Sequence, residues 1–195
     1  MNYRIAFCLP GREFSDKFLE SWSNLIASLP PNWEWYQVIG YVPNVFYSRQ
    51  KLLDRAKILD PTHYMWIDSD QVFKSEDFYS LISRDLDIIS GVYYRSTGDF
   101  YNKPEKFACS MLDGPTLRMK DIVSKESPIE IHVNGMGFML VKSEVFRILN
   151  QPFMPENEKQ WEGEDFTFQE KARKKGFKSY IDPKVIIGHE KKFIM

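Results

Sequence analysis

With 195 residues, 43% of them hydrophobic, the chain has enough apolar side chains for one globular domain with a sizeable core. Its 26 basic and 27 acidic side chains leave a net charge of −1, which excludes an overall field that would draw it onto nucleic acid or an anionic membrane. Two cysteines lack any pairing or metal-ligand spacing and read as reduced thiols, and no run of apolar residues reaches the ~20 needed to cross a bilayer.

Met1 leads directly into the alternating Tyr3-Arg4-Ile5-Ala6-Phe7, without the basic start and apolar stretch of a secretory leader, so the expected compartment is the cytoplasm, the host's if the source is viral. A first strand over residues 5–9 runs into Leu9-Pro10-Gly11-Arg12, a turn where backbone and a guanidinium can approach a nucleotide. Ser15 caps a predicted helix over 16–27, a strand follows at 37–41, and Ser48 is the expected cap of a helix over 49–59 that opens with Arg49. The apolar strand 64–67 ends abruptly in Asp68-Ser69-Asp70. Ser75 then precedes a helix over 76–82, and a strand occupies 87–92. This alternation predicts an α/β fold: a Rossmann-like, mostly parallel sheet flanked by helices, in which ligands bind beyond the carboxyl ends of the strands.

Residues 96–127 break the rhythm with Gly98, Pro104, Gly114 and Pro115 and predict a long loop region, partly hairpin, that forms an acceptor-side wall. A strand at 129–133 precedes Asn134-Gly135-Met136-Gly137, where two glycines permit close approach to a ligand or make an ordinary turn. The strand 137–141, a helix after Ser143 and breaks at Pro152 and Pro155 lead to Trp161-Glu162-Gly163-Glu164-Asp165-Phe166. A last helix over 164–175 stops at Gly176, its basic run at 171–175 reads as a solvated face, and the strand 185–187 ends in Gly188-His189.

Asp68 and Asp70 at a strand end supply hard oxygen ligands for Mg²⁺ or Mn²⁺, and His189 at another strand end adds an imidazole that favours Mn²⁺. Each also has a plain structural reading, as a turn after a strand or as a core or surface histidine. Glu164 and Asp165 open a helix, where carboxylates are favoured by free amides; either can instead serve as a general base.

In order along the chain, Ser48-Arg49-Gln50-Lys51-Leu52-Leu53, Met65-Trp66-Ile67-Asp68-Ser69-Asp70, Ile88-Ile89-Ser90-Gly91-Val92-Tyr93, Gly135-Met136-Gly137-Phe138-Met139-Leu140, Gly163-Glu164-Asp165-Phe166 and Gly188-His189 resemble the GT-A glycosyltransferases, especially small family-2-like bacterial and viral members. The resemblance spans nearly the whole chain. It implies one GT-A domain over residues 1–195 that moves a sugar from a UDP- or GDP-sugar to a glycan or other hydroxyl acceptor, with Mn²⁺ or Mg²⁺. Asp68, Asp70 and His189 become metal ligands, with Asp68 and Ser69 also near the ribose. Pro10, Gly11, Arg12 and Arg49 line the nucleotide, and Gly135, Met136 and Gly137 lie under the sugar. Asp165 takes the position of the catalytic base of inverting relatives, with Glu164 toward the donor sugar. The Gln-x-x-Arg-Trp signature of processive enzymes is absent. A GT-A-like module that binds nucleotide-sugar or glycan without turnover, and a metal-dependent nucleotidyltransferase, are the other readings of the same carboxylates.

Overall fold

The structure, a computed structural model, describes residues 3–93, 106–110, 116–118, 121–122, 124–155 and 163–190. Trp161, Glu162 and the greater part of the expected loop region 96–127 lie outside these residues.

The strands are β1 (Arg4–Pro10), β2 (Glu34–Gly40), β3 (His63–Ile67), β4 (Gln71–Val72), β5 (Ile88–Val92), β6 (Lys106–Ser110), β7 (Thr116–Arg118), β8 (Ile129–Ile131), β9 (Val133–Asn134), β10 (Phe138–Lys142), β11 (Ser179–Ile186) and β12 (Gly188–His189). The helices are α1 (Asp16–Ser28), α2 (Val45–Lys57), α3 (Ser75–Ser83), α4 (Ser143–Ile148) and α5 (Glu164–Lys174). Seven strands form the main sheet in the order β2-β1-β3-β10-β5-β11-β8. It is mostly parallel, as expected; β10 runs antiparallel to both neighbours and β8 antiparallel to β11. Within 96–127, β6 pairs antiparallel with β7 and with β9, in agreement with the partial hairpin.

Both faces of the sheet are buried, so successive residues of each strand enter opposite cores. Ile5, Phe7 and Leu9 of β1, Met65 and Ile67 of β3, and Phe138 and Leu140 of β10 face α1 and α3, against Phe18, Leu25, Phe78 and Leu81. Ala6 and Cys8, Tyr64 and Trp66, and Met139 and Val141 face α2, α4 and α5, against Leu53, Ala56, Phe146 and Phe168. Cys8 is a free thiol, and burial pushes its pKa up, so it is inert packing.

Helix starts depart from expectation at two places. Ser15 does cap α1, accepting from the Phe18 amide at 3.1 Å. At α2 the cap is Asn44, whose Oδ1 accepts from the Tyr47 amide at 3.2 Å, and Ser48 lies one turn inside. Asparagine suits a cap as well as serine does, and Ser48 is buried within the helix. At α3 the flanking residue is Lys74, whose amide donates to Asp77 Oδ2 at 2.7 Å, and Ser75 is already helical.

Asp182 on β11 is fully buried. Burial alone would raise its pKa, but the hydrogen bonds from Arg84 (2.8 Å), the Lys184 amide (3.0 Å) and Ser80 (3.0 Å) outweigh that and hold the carboxyl below the usual aspartate range. A carboxyl with a depressed folded pKa contributes stability above its unfolded pKa and loses it as pH falls through the folded value. Asp182→Asn should therefore cost about 2 kcal/mol at pH 7, less than a fully buried pair because Arg84 is partly solvated. In thermal melts at stepped pH, the gap from wild type should close in acid below the ordinary aspartate range.

Candidate active site

At the carboxyl ends of β1 and β3 the chain turns twice in close proximity. The Gly11 amide donates to Gly40 O at 3.1 Å, and a Cβ at Gly11 would stand 2.6 Å from Ser69 Cβ, so only glycine allows the two turns to touch. The turn after β3 is pinned by Asp68 N to Gly137 O at 2.9 Å and Gln71 N to Asp68 O at 3.1 Å. Between the turns and α2 opens a cavity of about 340 Å³. Pro10, Gly11, Arg12, Arg49, Asp68, Ser69, Asp70 and Glu164 all line it, eight residues singled out from sequence. Its further wall of Tyr41, Val42, Pro43 and Val45 carried no motif, only its position after the second strand.

Arg49 is 3% exposed and joins three elements. Its Nε donates to Glu164 Oε1 at 2.9 Å, its Nη2 lies 3.0 Å from Asp68 Oδ1 and donates to Oδ2 at 3.2 Å, and its guanidinium stands 5.6 Å from the Trp66 ring centre. Burial disfavours the charge, yet the two carboxylates raise its pKa further, so it stays protonated. The Asp68 pKa is raised as well: burial raises it more than Arg49 lowers it, with Asp70 and Glu164 adding repulsion.

Asp70 Oδ2 and His189 Nε2 meet at 3.0 Å, although 119 residues separate them. The short pairing of β12 with β4 makes this contact, since it sets His189 opposite Gln71. Among the described residues no three His, Cys, Asp or Glu side chains are gathered into a metal-holding group. Of the expected trio, Asp70 and His189 come together, while Asp68 is engaged by Arg49. The Asp70–His189 contact is a hydrogen bond between the two side chains; a carboxylate and an imidazole are ligand types that suit Mn²⁺.

Asp165, His189 and Gly135 to Gly137 are not on the cavity wall. Asp165 Oδ1 accepts from the Phe166 amide at 2.8 Å, the role expected of an acid in a first helical turn. Burial, then Glu164, raise its pKa. Met136 is buried in the core on the α2 side, and Gly137 sits where a Cβ would come within 2.9 Å of both Gln71 Nε2 and the Tyr93 hydroxyl. That hydroxyl accepts from the Gly137 amide at 2.8 Å, and burial followed by the Asp68 charge raises its pKa well above normal. Asn134, fully buried, donates to Ser90 Oγ at 2.7 Å and Gly91 O at 2.9 Å, while Gln169 clasps its backbone on both sides at 3.1 and 2.6 Å. Tyr93, Gln71 and Gln169 were passed over in the sequence; for the first two the only signal is a polar group placed at a strand end beside the acidic turn.

No family model matches the sequence, and no curated protein does either. Solved structures do share the fold. Protein A197 from STIV is 14% identical, with a TM-score of 0.60 over 100% of this chain and 97% of that one. GalNAc-T7, solved with UDP, GalNAc and Mn²⁺, is 11% identical with a TM-score of 0.61, over 98% of this chain and 44% of that one. The fold is of the GT-A type. No helix among the described residues is long and apolar enough to cross a membrane.

Arg49→Ala should cost about 3 kcal/mol in urea denaturation at pH 7, because it leaves Asp68 and Glu164 facing each other without a cation. Arg49→Lys should recover less than half of that, since an ammonium cannot bridge two carboxylates as a planar fork does.

Proposed function

We propose that this chain is a metal-dependent glycosyltransferase that moves a sugar from a UDP- or GDP-sugar to the hydroxyl of a glycan or similar acceptor. The observation that carries the reading is the meeting of Asp70 and His189 at 3.0 Å beside a cavity at the strand ends of a GT-A-type sheet. GalNAc-T7, similar in fold, is solved with UDP and Mn²⁺.

The charge of the cavity supports metal dependence. Three carboxylates line it, Asp68, Asp70 and Glu164, against two guanidinium groups, of which Arg49 is already committed to Asp68 and Glu164. A diphosphate entering alone would meet net negative charge. Asp70 and His189 would hold the ion, and Mn²⁺ or Mg²⁺ there supplies the positive charge that a leaving diphosphate needs.

In this reading the base and ribose lie between the apolar wall of Tyr41, Val42 and Pro43 and the turns at Pro10 to Arg12 and at Ser69. Arg49 keeps Asp68 oriented beneath the ribose. The sugar extends toward Gly135 to Gly137, and Glu164 stands on the donor side of α5. Asp165, its basicity raised by burial and by Glu164, takes the proton of the acceptor hydroxyl as it attacks, with inversion at the sugar carbon. Residues 96–127 form the acceptor wall.

Calorimetric titration with nucleoside diphosphates and nucleotide-sugars, with Mn²⁺ present or chelated, tests the donor site. One nucleotide should bind only with the ion, and Asp70→Ala and His189→Ala should each weaken that binding more than about tenfold. Binding indifferent to chelation and to both substitutions would refute the site.

Asp165→Asn should preserve donor binding and lower kcat by about 10²- to 10⁴-fold. Because its folded pKa is raised, the acid limb of the kcat/KM profile should lie above the ordinary aspartate range, with activity rising as pH climbs through it. Transfer at near the original rate in the variant would remove Asp165 from the mechanism.

A further inference from the structure

Gln71 is fully buried, and a buried amide is costly unless its polar atoms are used. It engages three residues, two by hydrogen bonds and one by strand pairing. The backbone amide donates to Asp68 O at 3.1 Å, the Cα is paired with that of His189 across β4 and β12, and the side-chain Nε2 donates to Asp70 Oδ1 at 3.2 Å. The other Asp70 oxygen, Oδ2, is the one that meets His189 Nε2 at 3.0 Å. One residue thus fixes the turn at Asp68, the rotation of the Asp70 carboxylate and the placement of the histidine.

The space around the amide is tightly set. A Cβ at Gly137 would stand 2.9 Å from Nε2, so the main chain of the preceding turn closes directly over it. Tyr93, its hydroxyl anchored by the Gly137 amide at 2.8 Å, sets its ring edge-on to His189 with centroids 5.3 Å apart. Within this pocket Oε1 of Gln71 is buried without a hydrogen-bond partner. An apolar side chain of the same length would avoid that orphaned acceptor, so packing alone does not call for an amide. Its donor group does.

We propose that Gln71 is the positioning residue of the metal site: its amide turns the Asp70 carboxylate so that Oδ2, together with His189, faces one divalent ion. This rests on the metal-dependent reading above. Groups that orient a metal ligand without touching the ion characteristically change ion affinity by 10- to 100-fold when lost.

The test compares the full chain with Gln71→Met, which keeps length and volume but donates no hydrogen bond. Free Mn²⁺ is followed by electron paramagnetic resonance during titration, in the presence of UDP or GDP, and thermal melts are recorded in metal-free buffer. The expected result is Mn²⁺ affinity lowered about tenfold or more, with a melting temperature close to wild type. Unchanged affinity in folded Gln71→Met, with or without a lower melting temperature, would overturn the proposal and leave Gln71 a packing residue. Should the variant fail to fold, the wild-type side-chain amide decides: its ¹⁵N-correlated resonances should shift when Mg²⁺ is added with nucleotide, and resonances that stay in place overturn the proposal. A wild-type chain that holds no Mn²⁺ under these conditions overturns the metal site and this inference together, whereas equal binding by wild type and variant overturns this inference alone.

Discussion

Arg49 lies buried between two carboxylates, Asp68 at the end of β3 and Glu164 at the start of α5, with Trp66 beside its guanidinium. A lone charge in that position would be expelled or neutralised, and two lone carboxylates would push their supporting elements apart. Together the three groups satisfy most of one another's electrostatics and fix where α2, β3 and α5 meet. The cavity walls are the surfaces of those same elements, so the shape of the site follows from an ion triad whose three members all line the cavity. Such a triad contributes less to stability than an apolar cluster of equal volume would. Its value here is geometric, as it holds two acidic side chains in place at the carboxyl edge of the sheet.

The sheet gives that triad a rigid frame. β10 enters antiparallel between β3 and β5, pairing Phe138 with Ile67 and Met139 with both Trp66 and Ser90. This places the turn before β10 directly against the acidic turn after β3, joined by the hydrogen bond from Asp68 N to Gly137 O. Residues that are remote in sequence therefore reach the site through backbone pairing, which holds position more firmly than side-chain contacts between loops do.

Much of this was legible in the sequence, for identifiable reasons. Alternating apolar strands and the Ser15 cap write themselves in residue order, and an apolar strand that stops at two aspartates marks a sheet edge whatever surrounds it. The direction of β10 was not legible, because an apolar run such as 137–141 reads the same parallel or antiparallel. The cap of α2 was expected at Ser48 and is Asn44; both side-chain types suit the role, so residue type alone does not separate them. The partnership of Arg49 with Glu164 spans 115 residues, and Gln71 looks like any polar residue after a turn. Long-range pairing of this kind leaves no periodic trace. Asp68 and Asp70 lie one residue apart, and the first pairs with an arginine while the second meets a histidine, partners that the motif itself does not name.

The connection between β5 and β8 has a consequence for how such a protein can change over generations. β5 lies in the interior of the seven-stranded sheet, whereas β8 is its edge strand, held only by β11. The intervening chain thus leaves from a firmly paired strand and rejoins at the margin, on the far side of β10 from the Arg49 triad. Closing a longer loop between fixed ends costs only a logarithmic increment of entropy, about 0.6 kcal/mol for each doubling of length. Within the connection β6 pairs with β9 and Ile122 clusters with Val92, Ile131 and Ile181, so a change of length there that keeps these anchorages leaves β1, β3 and the acidic turn as they are. The costly part to alter is the paired frame of β1, β3 and β10; the cheap part is the length of the connection from β5 to β8.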